Sequence, residues 1–168
     1  MDSGISAMLY GVWGSSSENM YAVGDAGTIL TYDGTRWSTM QSPVAHTLRG
    51  LSGSSEEDIY SAGSYGTLLH YNGTQWTTVN SGSSIHLKDV FSVSEQEVYA
   101  TGWEGTLLQY NGTQWALTKT CTQATLESIW GLSDGKKFSV GDAGTIIQTK
   151  KNSSLIGSLM LLLFFDES

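Results

Sequence analysis

The sequence predicts an all-β fold, a β-propeller made of four 39-residue repeats. The string GDAGTILTYDGTRW begins at Gly24 and returns as GSYGTLLHYNGTQW from Gly63 and as GWEGTLLQYNGTQW from Gly102. A fourth, altered copy, GDAGTIIQTKKNSS, begins at Gly141, so the four starts follow one another at a constant step of 39 residues. A period near 40 residues with strand-like content is typical of propeller blades.

A complete repeat predicts four short antiparallel strands, A to D. In the first repeat we expect them at Met8–Gly14, Met20–Gly24, Thr28–Tyr32 and Arg36–Met40. Asp33-Gly34 separates strands C and D, and Asn-Gly stands at the same place in the second and third repeats. These dipeptides favour a two-residue type I′ turn, because both positions of that turn need a positive φ. Strands C and D should therefore form a β-hairpin.

The repeats carry apolar residues on both faces of each predicted sheet. Strand C is apolar on both sides, as in Thr28-Ile29-Leu30, whereas a half-solvated strand would alternate polar and apolar residues. Aromatic residues return at positions 21, 60, 99 and 138, at 32, 71 and 110, and at 37, 76 and 115. Burial of one such side chain is worth about 1.5–3 kcal/mol. We expect packing between neighbouring sheets to dominate stability.

The repeats occupy residues 8–150, in units that start near residues 8, 47, 86 and 125, and residues 151–168 form a C-terminal tail. The fourth unit lacks a recognisable strand D, and Leu155–Phe165 is the segment left to replace it. Three arrangements stay open. The tail closes a four-bladed ring, two chains form an eight-bladed ring so that this chain is half of it, or the chain is a fragment of a longer propeller.

Composition and charge argue against several classes of function. The formal net charge of −8 disfavours nucleic acid, whose binding draws on clustered Lys and Arg. Cys121 is the single cysteine, so no internal disulfide can form. The N-terminus shows no signal-peptide pattern. The apolar run Leu155–Phe165 is shorter than the roughly 20 residues of a membrane-spanning helix. We expect no membrane span, and the compartment stays unknown.

The repeat consensus W-G-S-S-S-x-x-x-Y-A-V-G-D-x-G-T-I-L-x-Y-[DN]-G-T-x-W covers residues 8–149 and resembles the bacterial WGSS/VYAVG propeller repeats. It is similar to the photosystem II assembly-factor and BNR/Asp-box repeat families. Trp13-Gly14 and Trp130-Gly131 carry the opening signature, whereas Ser52-Gly53 and Phe91-Ser92 depart from it. The resemblance implies a non-enzymatic scaffold or adhesive module, often outside the cytoplasm.

Other motifs indicate turns and surface residues rather than chemistry. Gly131–Gly135 fits the string G-x-S-x-G, but a nucleophile elbow needs a helix after the serine and a histidine downstream. His46, His70 and His86 share no repeat position and have no partner at ligand spacing, so we expect no metal site. We expect no cofactor, because the sequence shows no motif that predicts one. The Asn-Gly-Thr sequons of the second and third repeats are explained by turn chemistry.

Variation between the repeats is concentrated in the B–C loop. Between its two fixed glycines stand Asp25-Ala26, Ser64-Tyr65, Trp103-Glu104 and Asp142-Ala143. Strand parity puts the B–C and D–A connections at the same end of the ring. An exposed Trp beside Tyr, with carboxylates nearby, suits a carbohydrate, which needs a ring to stack on and acceptors for its hydroxyls. Ordinary loop variation gives the same pattern. A calcium site is a weaker interpretation, because no set of oxygen ligands repeats.

The sequence therefore predicts a binding module without enzyme activity, whose partner is a protein or a glycan. The candidate ligand-binding residues are Asp25, Tyr65, Trp103, Glu104 and Asp142. A homodimer that completes a larger ring is a further expected partner arrangement. The alternative function is a partial or degraded glycoside hydrolase propeller of the BNR/sialidase type. That enzyme would need clustered acids, an arginine triad and a tyrosine nucleophile, whereas Arg36 and Arg49 are the only arginines.

Overall fold

The computed structural model describes residues 3–132 and 134–150, which form fifteen β-strands and four short 3₁₀ turns. The first sheet holds β1 (Leu9–Ser16), β2 (Asn19–Gly24), β3 (Ile29–Tyr32) and β4 (Trp37–Thr39). The second holds β5 (Leu48–Ser55), β6 (Asp58–Gly63), β7 (Leu68–Tyr71) and β8 (Trp76–Val79). The third holds β9 (Leu87–Ser94), β10 (Glu97–Gly102), β11 (Leu107–Tyr110) and β12 (Trp115–Thr118). The fourth holds β13 (Leu126–Gly131), β14 (Lys136–Gly141) and β15 (Ile146–Lys150).

Every sheet is an antiparallel meander whose strands pair in chain order. The predicted all-β propeller of four repeats is thereby confirmed, and we call the sheets blades 1 to 4. The strands of blade 1 lie close to the predicted ranges, although β1 continues to Ser16 and β4 is only three residues long. Blade 4 has three strands within the described residues. The tail predicted as a closing strand or extension lies outside them.

The hairpin between strands C and D forms, but the predicted turn type is wrong. Tyr32 pairs with Trp37, so four residues lie between the strands instead of two. Gly34 has a φ of 88°, while Asp33 does not have a positive φ. The carboxylate of Asp33 instead accepts hydrogen bonds from the backbone N–H groups of Thr35 and Arg36, both at 2.9 Å. Asp or Asn is needed here as a side-chain acceptor rather than for a left-handed backbone.

Neighbouring blades pack face to face, and their first strands lie side by side. β1 contacts β5, β5 contacts β9, and β9 contacts β13. Strand A is therefore the innermost strand of each blade and strand D the outermost. Aromatic rings cross each junction, as predicted. Tyr21 of blade 1 lies 5.6 Å from Tyr71 of blade 2, and Tyr60 of blade 2 lies 5.9 Å from Trp115 of blade 3, between ring centroids.

Candidate functional site

The B–C turn is the same short 3₁₀ turn in all four blades. The turns are Asp25–Gly27, Ser64–Gly66, Trp103–Gly105 and Asp142–Gly144. The middle residue of each turn is not glycine, yet it has a positive φ of 53° to 58°. This left-handed conformation is uncommon for a residue with a Cβ. Tyr65 and Glu104, two predicted site residues, occupy this position, so the turn itself fixes where their side chains leave the backbone.

Each B–C turn rests directly on the chain that leads into strand A. The N–H of Ser64 donates to the carbonyl oxygen of Thr47 at 2.9 Å, and the N–H of Trp103 donates to that of His86 at 3.0 Å. In blades 1 to 3 the last turn residue has no room for a side chain; a Cβ at Gly66, for example, would collide with the backbone carbonyl of Ser83. The B–C turns and the D–A connections therefore lie at one end of the blades, which we call the loop face.

Four aromatic rings lie next to one another on this loop face. The ring centroids of His46 and Tyr65 are 5.2 Å apart, those of Tyr65 and His86 are 4.6 Å apart, and those of His86 and Trp103 are 4.4 Å apart. We call these four residues the aromatic row. Tyr65 is 64% exposed and Trp103 is 45% exposed. The row thus joins blades 2 and 3 and presents large apolar ring surfaces to solvent.

Of the predicted site residues, the structure brings Tyr65 and Trp103 together through His86. Glu104 is exposed and follows Trp103 directly in the same turn. Asp142 is exposed in the turn of blade 4. Asp25 is half-buried in the turn of blade 1, where its carboxylate accepts a hydrogen bond from the hydroxyl of Thr47 at 3.1 Å. Asp25 therefore links blade 1 to the chain leading into blade 2.

Sequence reasoning missed the two histidines of the row. His46 and His86 do not occupy the same repeat position, so a search for residues at the 39-residue step passes over them. Both lie at the end of a D–A connection, directly beside a B–C turn, and the imidazole Nδ1 of His46 is 3.0 Å from the hydroxyl of Thr67. The repeat spacing does not reveal these histidines. An alignment of the D–A connections with the B–C turns that they adjoin is the sequence signal that could have found them.

Two further polar clusters are largely buried, and in each of them the polar side chains are paired with one another. Lys137 of blade 4 donates to the carboxylate of Glu97 in blade 3, which also accepts from the hydroxyl of Tyr99 at 2.9 Å. Burial and the neighbouring Glu97 raise the pKa of Tyr99. In blade 2, the Nε2 atom of His70 lies 2.8 Å from the carboxylate of Asp58, a contact within one sheet. The Lys137–Glu97 pair, by contrast, joins blade 4 to blade 3.

Other sequence candidates for chemistry gain nothing from the structure. No group of three or more His, Cys, Asp or Glu residues within 3–132 and 134–150 is arranged to hold a metal ion. In the same part of the chain, no helix is long and apolar enough to cross a membrane. The G-x-S-x-G string includes Ser133, which lies outside the described residues. The sequon at Asn72 is a turn, because the Asn72 side chain accepts from the hydroxyl of Thr74 at 2.7 Å.

The fold defines the chain as a β-propeller, and solved propellers are similar to it. No protein-family model and no curated protein matches the chain. The structure of YCF48 bound to D1 peptide is similar with a TM-score of 0.72 and 12% identity, over 92% of this chain and 53% of that one. The structure of U3-55K is similar with a TM-score of 0.74 and 13% identity, over 96% of this chain and 53% of that one.

A designed protein of comparable length is also similar. The computationally designed Ika4 protein has a TM-score of 0.69 and 17% identity, over 89% of this chain and 94% of that one. Identities this low show the fold alone. The chain spans about half the length of the YCF48 and U3-55K chains. These neighbours are β-propellers, which agrees with the fold of this chain, and the YCF48 structure holds a D1 peptide.

Proposed function

We propose that this chain is a non-enzymatic propeller scaffold or adhesion module that binds a protein or a glycan through its loop face. The observation that supports this is the aromatic row, in which Tyr65 and Trp103 are exposed although each is held by ring contacts. Large exposed rings that are already ordered lose little conformational entropy on binding. Glu104 and Asp142 supply carboxylate acceptors at the same face. At that face Asp25 stabilises the turn of blade 1 through its hydrogen bond with Thr47.

Two kinds of partner fit this surface. A peptide or protein would place apolar or aromatic side chains on the rings, and YCF48 is a propeller whose structure holds a peptide. A glycan would stack the apolar face of a sugar ring on Trp103 and donate hydroxyls to Glu104. The net charge of −8 argues against nucleic acid at either end of the blades. A second copy of the chain is the further partner, in contact with the first and last blades.

The rival function, a degraded BNR/sialidase-type glycoside hydrolase, finds less support. Its chemistry needs carboxylates in a substrate cleft and an arginine cluster. Arg36 lies 3.9 Å from Asp33 in a C–D turn, and Arg49 lies over the ring of Tyr10 at 4.8 Å. These two arginines, the only ones in the sequence, lie in different elements and cannot form a triad. The resemblance to bacterial WGSS repeats agrees with the scaffold rather than with the enzyme.

A binding screen tests the proposal. The full chain is applied to a glycan array and to a random peptide library, and each hit is measured again with Trp103→Ala and Tyr65→Ala. Loss of a central aromatic contact typically costs about 2 kcal/mol or more, which is about 30-fold in Kd. Leu117→Ala is the control, because Leu117 is 69% exposed on the outer strand β12 and lies away from the row. Circular dichroism checks that each variant is folded.

The outcomes separate the alternatives. Binding that falls with both aromatic variants and not with Leu117→Ala supports the loop-face site, and the array or the library identifies the class of ligand. Binding that is unchanged in Trp103→Ala and Tyr65→Ala places the site elsewhere and contradicts the proposal. Turnover of a fluorogenic sialoside or another aryl glycoside would establish the hydrolase instead.

A further inference from the structure

Every junction between neighbouring blades uses the same two surfaces. We call the side of a blade that packs on the next blade its trailing face, and in blade 1 this face includes Tyr21 and Val23. The side that packs on the preceding blade is the leading face, and in blade 2 it includes Leu51 and Leu69. These residues form one buried cluster. Corresponding residues fill the junctions between blades 2 and 3 and between blades 3 and 4.

The leading face of blade 1 is exposed along its inner strand. Val12 is 62% exposed, whereas Leu51, Val90 and Ile129, at the same repeat position in the other blades, are 8%, 2% and 3% exposed. A groove of about 450 Å³ opens at this place, and it is lined by Ser3, Leu9, Tyr10, Gly11, Val12, Ala22 and Trp37. The position that is buried in every later blade is therefore open to solvent in the first.

The trailing face of blade 4 is exposed in the same way. Val140 is 46% exposed, although Val23 and Ala62, at the same repeat position in blades 1 and 2, are fully buried. Ile146 and Trp130 on the same face are 45% and 65% exposed. Within residues 3–132 and 134–150, no contact as extensive as those between successive blades joins blade 1 to blade 4. The four blades thus form an arc in which apolar side chains of the end blades are exposed, although Ala22 and Leu30, on the same face as Val12, are buried.

We infer that a second copy of this chain covers both ends, and that two chains close a single eight-bladed ring. The trailing face of blade 4 in each copy packs on the leading face of blade 1 in the other. This contact continues a junction that the chain already makes three times internally. Head-to-tail contacts of this kind close when the rotation returns to its start. Two arcs give eight blades, within the usual range of four to eight, and three arcs exceed it.

The polar residues of the inner strands agree with this junction. The guanidinium of Arg49 lies over the ring of Tyr10 at 4.8 Å, across two neighbouring A strands. Across the A strands of blades 3 and 4, the Lys88 Nζ atom lies 2.9 Å from the Glu127 carboxylate. These four residues occupy the same position in the four blades. The same geometry at the new junction places Glu127 beside Tyr10 of the second copy. A carboxylate acceptor then meets a phenol donor, and no like charges meet.

The C-terminal tail is a poorer occupant of these faces. Within the described residues β15 is the outer edge strand of blade 4, so a strand added to that sheet pairs with β15. Val12 and Trp130 lie on β1 and β13, which are the innermost strands. A single outer strand leaves both side chains uncovered, whereas a whole blade face covers them.

The ring has a consequence for binding that rests on the proposed function. A rotation about the ring axis keeps the loop faces of both copies on the same side. The assembly therefore presents two aromatic rows, and a ligand with two linked epitopes gains avidity without any new contact. Failure of the loop-face proposal leaves the ring untouched, because the two use different residues.

The mass of the full chain in solution tests the inference. Light scattering or native mass spectrometry should give twice the chain mass of 18.1 kDa. Val12→Asp places a carboxylate in each junction and should give the single-chain mass with an unchanged circular dichroism spectrum, because Val12 is already exposed within one chain. Val93→Asp is the matched control, since this 44% exposed valine lies on β9 of an internal blade, and it should keep the two-chain mass.

Two further variants keep the result interpretable. Ile146→Asp changes the trailing face of blade 4 and should also give single chains. An equimolar mixture of Ile146→Asp with Val12→Asp should recover part of the two-chain species, because one junction between the two variants is unchanged. Leu161→Asp combined with Phe164→Asp changes only the tail and should leave the two-chain mass. Three results would each overturn the inference. These are a single-chain mass for the unmodified protein, assemblies that grow without limit, and a dimer that is lost with the tail variant but kept with Val12→Asp.

Discussion

The imidazole ring of His86 lies 4.4 Å from the indole of Trp103, centroid to centroid, with their planes at 35°. The N–H of Trp103 also donates to the carbonyl oxygen of His86 at 3.0 Å. One ring contact and one backbone hydrogen bond therefore join the residue that precedes β9 to the B–C turn of the same blade. Trp103 is exposed but ordered, which is the state that a binding surface requires.

We predict that His86 and Trp103 contribute to stability as a coupled pair. Aromatic pairs add about 0.5–1.5 kcal/mol beyond the area they bury. The sum of the losses in His86→Ala and Trp103→Ala should therefore exceed the loss in the double variant by about that amount. Urea denaturation of the three variants and the unmodified chain gives the four free energies of unfolding that the cycle needs.

The cycle has an internal control in His70, which lies on β7 and stacks on Tyr60 instead. His70→Ala and Trp103→Ala share no contact, so their effects should add within about 0.3–0.5 kcal/mol. If the effects of His86→Ala and Trp103→Ala also add, the two side chains are neighbours that do not stabilise each other.

The fold could be predicted from the sequence because repetition fixes both the number of blades and the strands within them. The turn between strands C and D was predicted with the wrong geometry, because Asp33 acts through its side chain, which a dipeptide preference does not reveal. The aromatic row was seen only in part. Tyr65 and Trp103 stood out as variation between copies, but His46 and His86 reach them through loop packing that spacing along the chain does not encode.

The left-handed residue of the B–C turn gives a second prediction. Ala26 has a φ of 53° and an exposed side chain, so Ala26→Gly removes no buried contact. The left-handed conformation costs a residue with a Cβ about 1–2 kcal/mol, while glycine adds about 0.4–1 kcal/mol of unfolded-state entropy. We expect a net gain of about 0.5–1 kcal/mol in the free energy of unfolding, measured by urea denaturation.

Ala45→Gly is the matched control for this gain. Ala45 is also an exposed alanine on the loop face, but its φ is not positive. Glycine there should lower the free energy of unfolding by about 0.4–1 kcal/mol through the unfolded chain alone. Equal effects of both substitutions would show that the turn stores no backbone strain.

The C–D turn of blade 1 predicts a dependence of stability on pH. The hydroxyl of Thr35, followed by the N–H groups of Arg36 and Thr35, lowers the pKa of Asp33 to about 2. A lowered pKa in the folded state means that the carboxylate stabilises the fold above its ordinary pKa of about 4, and that this contribution is lost as the pH falls towards about 2. Asp33→Asn keeps an acceptor, as in the second and third repeats, and does not titrate.

The measurement for Asp33 is the difference in free energy of unfolding between Asp33→Asn and the unmodified chain, followed from pH 6 to pH 2. This difference should move in favour of Asp33→Asn below about pH 4, because the other titrating groups are common to both proteins and cancel. Asp33→Ala, which has no acceptor, should be less stable than Asp33→Asn at every pH. A difference that does not change with pH would contradict the assignment.

The buried ion pair between blades 3 and 4 gives the last prediction. Lys137 is 1% exposed and donates to Glu97, which also accepts from Tyr99. Lys137→Met should cost about 3–5 kcal/mol, because it leaves the Glu97 carboxylate buried without its cation.

The double variant, Lys137→Met with Glu97→Gln, should recover most of that loss. Its neutral amide still accepts from the Tyr99 hydroxyl, and an apolar side chain suits this position, where the other blades have Met20, Ile59 and Val98. Urea denaturation of the single and double variants decides between this account and one in which the charge pair itself supplies the stability. In the second case the double variant would be no more stable than Lys137→Met.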